Sequence, residues 1–161
     1  MSDEVPGDER ALLRAAVAAW NSGRWRAAHD GFEELWRASS GAQAGAENAR
    51  SAPAAHKGDA VHDDMHEADA RAEAARVAGD PRPELWRALA QAAAVGVLWR
   101  QGRVNGARAV ASKAAARLRV LRDEHGGRLE GLDLEDAARN LAACVEDAAL
   151  LGPLRVLEPE G

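Results

Sequence analysis

The chain has 161 residues and a formal net charge of −5, with five tryptophans, one phenylalanine, no tyrosine and one cysteine. That length suits a single domain with its own core, and the acidic balance excludes a nucleic-acid binder that works by neutralising phosphates. Lone Cys144 excludes an internal disulfide, which suits a reducing, cytoplasmic compartment. Alanine is abundant and β-branched residues are scarce, a composition that favours helices because alanine loses no side-chain entropy in one. No signal peptide is expected, since Met1 to Arg10 is acidic and lacks an apolar run. No stretch approaches the roughly 20 apolar residues of a membrane span.

The spacing of Leu12, Leu13, Ala16, Val17 and Trp20 predicts a first helix from about Glu9 to Asn21, with Asp8 as N-cap. Asn21-Ser22-Gly23 ends it in a tight turn. A second helix follows to about Ala38. At about 100° per residue it gathers Trp25, Phe32, Leu35 and Trp36 into one apolar stripe, with His29 at its edge and Glu33 a turn further on. From Ser39 to Pro83 large apolar residues are nearly absent, so residues 39–83 read as a flexible surface insertion rich in Ala, His and Asp.

A third helix is expected after Pro83, to about Gln101. Between Ala88 and Trp99 its only polar side chain is Gln91, so it reads as the buried centre of a bundle. Gly102 to Gly106 makes the next turn, and a fourth helix runs from about Asn105 to His125, with Arg108, Arg117, Arg119 and Arg122 facing largely outward. Gly126-Gly127 closes it, and Asp133 caps a fifth helix from Leu134 to about Leu150. Gly23-x-Trp25-x-x-Ala28 is echoed by Gly102-x-Val104-x-x-Ala107, a glycine break followed by a small residue that admits close packing. The expectation is one domain over 1–161: an all-α, five-helix antiparallel bundle of two tetratricopeptide-like hairpins plus a C-terminal helix.

Two histidine groups carry chemistry. His29 and Glu33 stand at i and i+4, where an imidazole and a carboxylate can share a proton or hold a metal. The bland reading is a buried clasp in which Gln91 is satisfied by His29 or Glu33, since an unsatisfied buried amide costs about 1–3 kcal/mol. Asp30, about 100° round the helix from His29, reads as an awkward co-ligand. His62-Asp63-Asp64-Met65-His66-Glu67 sets two further histidines at i and i+4 beside carboxylates, with His56 and Asp59 nearby, and reads as a weak metal site in a solvated loop.

Ala28-His29-Asp30-Gly31-Phe32-Glu33-Glu34-Leu35-Trp36-Arg37, together with Ala88-Leu89-Ala90-Gln91-Ala92-Ala93-Ala94 and Gly102-Arg103-Val104-Asn105-Gly106-Ala107, resembles the two signature stretches of domain-of-unknown-function family 309. The likeness covers about Ala11 to Ala38 and Leu85 to Leu121. It implies a small all-α, tetratricopeptide-like bundle of bacterial or archaeal type, and it assigns no biochemical activity. The matching residues are His29, Asp30, Glu33, Glu34, Trp36 and Gln91. Two features depart from the pattern: the long insertion, and Leu98 where members carry a histidine on the third helix.

The leading expectation is therefore a protein-interaction or self-association domain, more non-enzymatic than catalytic, with a buried His/Glu/Gln cluster. Its alternative is a hydrolase, or a small-ligand or metal-binding protein, using a His29/Glu33/Gln91 pocket lined by Trp36. No cofactor is expected apart from a divalent metal at one of the histidine groups. The partner would be a second copy or another protein, with no nucleic acid and no membrane.

Overall fold

The helical periodicities are realised in a computed structural model that describes residues 7–47, 79–147 and 151–156. Its helices are α1 (Gly7–Asn21), α2 (Trp25–Glu47), α3 (Arg82–Arg100), α4 (Val104–His125) and α5 (Leu134–Glu146). Between α4 and α5 lies a hairpin of β1 (Arg128–Leu129) and β2 (Leu132–Asp133), in which Leu129 pairs with Leu132 and Arg128 with Asp133. Each helix packs chiefly on its neighbours in the chain.

Every consecutive helix pair is antiparallel, as cross-helix contacts show. Trp20 meets Trp25 edge to face at 5.3 Å while Gly31 faces Ala16. Glu84 pairs with Arg117 at one end of α3 and α4, and Leu98 meets Gly106 at the other. Arg122 bonds Glu135, and Arg108 donates to the Glu146 carbonyl. The bundle is all-α apart from the two short strands.

The echoed turns are the same structure. Gly23 N–H bonds Trp20 O and Arg24 N–H bonds Ala19 O; Gly102 N–H bonds Trp99 O and Arg103 N–H bonds Leu98 O. These are the paired bonds of a Schellman ending, and φ values of 68° and 72° at Gly23 and Gly102 explain the glycine. Ala28 and Ala107 are fully buried a turn later. Phe32, Leu35, Leu85, Trp86, Leu89, Leu118, Leu132, Leu134 and Leu141 supply the bulk of the core.

Several boundaries differ from expectation. Helix α1 starts at Gly7, which puts Asp8 inside the first turn, where its charge still suits the helix dipole. Helix α2 does not stop at Ala38 but continues to Glu47, and Ser39 and Ser40 are buried. Ser39 meets the cost of that burial by donating to the Trp36 carbonyl at 3.0 Å, so the helix runs on without a large apolar side chain at these positions. The proposed insertion thus begins within a helix, and its end is trimmed too: Pro83 is buried inside α3, whose start is held by Asp80 accepting from the Arg82 N–H at 3.0 Å. Arg117 does not face out freely; it is committed to Glu84. Helix α5 ends at Glu146, while its predicted cap holds, Asp133 accepting from Asp136 N–H at 2.9 Å.

The segment Leu151–Val156 returns to α1. Trp20 Nε1 donates to Gly152 O at 2.9 Å. The Asn21 amide bonds both polar groups of the Leu154 backbone, donating at 3.2 Å and accepting at 2.9 Å. Asp133 N–H donates to Arg155 O and Leu132 bridges Val156, so this strap joins the first helix to the hairpin.

Candidate functional site

Helix α2 carries Trp25, His29, Glu33 and Trp36 along one half-buried flank, and α3 carries Arg87, Gln91, Ala94 and Leu98 along another. The Arg87 guanidinium lies over the Trp36 ring, 5.9 Å from its centroid, a cation–π contact. At the other end of the seam Gly96 backs directly onto the Trp25 indole. These two contacts fix the register of α2 against α3 and set Gln91 level with the turn from Asp30 to Glu33.

Placement matches expectation, but the bonding does not. The Gln91 Oε1 atom is buried and accepts no hydrogen bond, so the clasp to His29 or Glu33 is not made. His29 Nδ1 instead lies 3.4 Å from Asp30 Oδ1, and Glu33 accepts from Arg37 at 3.0 Å. A guanidinium a turn away on the same exposed flank competes for the carboxylate and wins. The group is also not buried: the His29 and Glu33 side chains are each 32% exposed and Asp30 is 63% exposed.

Asp30 proves a neighbour of His29 despite the angular step between them, because both side chains can turn along the helix surface. One ligand atom from each of His29, Asp30 and Glu33 lies within 4.8 Å of the others. One imidazole nitrogen and two carboxylate oxygens at that spacing form an N/O/O set that suits a divalent cation of borderline to hard character. Glu34 is exposed and stands outside the set, and Trp36 flanks it with its indole Nε1 buried and unpartnered. His62 and His66, like His56 and Asp59, lie outside the described residues.

Cys144 is fully buried, and loss of solvent, with a smaller push from Asp147, drives its thiol up to about 11. It is a packing residue, inert as a nucleophile near neutral pH. A cleft of about 730 Å³ opens between the start of α3 and α4, bordered by the Glu84–Arg117 pair, Val120 and His125. Sequence reasoning missed this cleft, because its walls come from two helices and its residues share no local pattern. It also missed Gly96, whose lack of a side chain inside an otherwise bulky helix was the available signal. No helix of the described residues is long and apolar enough to cross a membrane.

No family model, no curated protein and no solved structure matches the chain.

Proposed function

We propose that this helical bundle binds a divalent cation through His29, Asp30 and Glu33 on the outer flank of the α2–α3 seam. The observation that carries the reading is the convergence of the three ligand atoms within 4.8 Å. The clasp that would have given His29 and Glu33 a purely structural role is absent, and the partners they do have are exposed side chains that a cation can compete with: Arg37 for Glu33 and Asp30 for His29. Three protein ligands leave the outward side open to water or to a small anionic ligand, as in sites that do more than hold the fold. These residues are also the ones shared with domain-of-unknown-function family 309, a membership proposed with the function. A cytoplasmic location fits the single, buried cysteine.

Calorimetric titration of untagged protein with zinc, nickel and manganese tests the reading. One equivalent of cation should bind, and His29→Ala and Glu33→Gln should each weaken binding by at least about tenfold. The variant carrying His62→Ala and His66→Ala should retain it. Cation at a hundred times its Kd should add about 2.7 kcal/mol to the unfolding free energy. Binding that is absent, or that is lost only when His62 and His66 are replaced, sinks the proposal.

A second reading, self-association, is supported by Trp99, which remains 38% exposed beside half-buried Val97 and Leu98. An exposed indole at a helix end is a common anchor in protein interfaces. Light scattering after size exclusion should then show mass rising with concentration in the parent and not in Trp99→Glu.

A further inference from the structure

A second cleft, of about 460 Å³, lies on another face of the molecule, between α1, the start of α3 and the β-hairpin. That volume falls within the range of small-molecule sites, about 300–1,000 Å³. Its floor is apolar, made by Leu13, Val17 and the fully buried Trp86. Three arginines line it beside two carboxylates, Glu9 and Glu130: Arg10 and Arg14 stand one helical turn apart on α1, and Arg128 comes from β1. Arg14 makes no ion pair among the described residues.

Two details set this cleft apart from an ordinary surface dent. The Trp86 indole Nε1, on a residue that lines it, is buried without a hydrogen-bond partner. Buried polar groups are satisfied almost everywhere in folded proteins, so an indole N–H left without an acceptor beside an open cleft marks a place where an acceptor can be taken up. Glu130, at the hairpin tip beside Gly131, holds φ at +51°, a left-handed conformation that costs a non-glycine residue about 1–2 kcal/mol. Its side chain lines the cleft all the same, where asparagine or glycine would make the easier turn.

We propose that this cleft binds a small amphiphilic carboxylate, its head at the arginine-lined mouth by Arg14 and its hydrocarbon body against Leu13, Val17 and Trp86. The two acids nearby do not oppose this. The Arg82 guanidinium offsets both charges: it lies 4.0 Å from Glu9 Oε2 and acts across a longer distance on Glu130.

The probes are hexanoate and its charge-inverted counterpart hexylamine, followed by nitrogen–proton correlation spectra of the full chain. Hexanoate should shift the backbone amides of Glu130 and Gly131 and one indole resonance, saturating with a Kd on the order of 10 mM or tighter. Arg14→Gln, at an exposed position that should fold as the parent does, should weaken that binding by about fivefold or more. His29→Ala should leave it unchanged, which separates this site from the cation site. Absence of saturation, equal binding of hexylamine, or an Arg14→Gln variant with parental affinity would each overturn the proposal.

Discussion

Gln91 shows how a residue can be located correctly and bonded wrongly by sequence reasoning. Its isolation in an oily helix placed it in the interior, and the α2–α3 seam is where it lies. Its hydrogen bonds depended on rotamers of His29 and Glu33, and Asp30 and Arg37 decided those instead. The consequence is measurable. Replacing an unsatisfied buried carbonyl with an apolar group of similar shape is neutral or stabilising, so Gln91→Leu should leave the unfolding free energy unchanged or raise it by up to about 1 kcal/mol. In a denaturant double-mutant cycle with His29→Ala, the coupling should lie within about 0.5 kcal/mol of zero. A coupling above about 1 kcal/mol would mean that imidazole and amide are bonded after all.

Among the elements, the helices were legible because their signals are local: apolar residues at steps of three and four, a glycine at each break, and an Asp cap before Leu134. Helix α2 overran its predicted end because Ser39 and Ser40 can be buried without looking apolar. The hairpin was invisible to a period-two reading, since two-residue strands are too short to alternate. Its signal was Glu130-Gly131 between two leucines. The packing of α2 on α3 turns on Gly96, where a Cβ would run into the Trp25 ring and force that indole away from its edge-to-face contact with Trp20. Gly96→Ala should therefore cost about 1–3 kcal/mol, as overpacked cores do. In a Trp25→Ala background the same change should cost nothing or gain up to about 1 kcal/mol, because alanine is the better helix former once the ring is gone. Thermal or denaturant melts of the four proteins decide it; an equal penalty in both backgrounds would place the obstruction elsewhere.

At the scale of the whole molecule, neighbour-on-neighbour packing leaves the first helix distant in sequence from everything but α2. Beside the Glu9–Arg82 pair the strap supplies a further tie, and no local pattern could reveal it, because Asn21 and Leu154 are 133 residues apart. A bond of that reach closes a long loop, whose entropy is lost only once, while its two contacts at Asn21 form or break together. Asn21→Ala should remove both and cost about 1–2 kcal/mol. The more telling readout is where protection falls. Amides of Leu154 and Arg155, and those of the hairpin that the strap covers, should exchange with solvent faster, while the centres of α3 and α4 fall only by the global loss. If protection dropped equally everywhere, the strap would be one cooperative unit with the core. A fall confined to the strap and hairpin would identify a separate, weaker unit, and it would also loosen Val156 and Glu130, two walls of the carboxylate cleft, so hexanoate affinity should decline in the same variant.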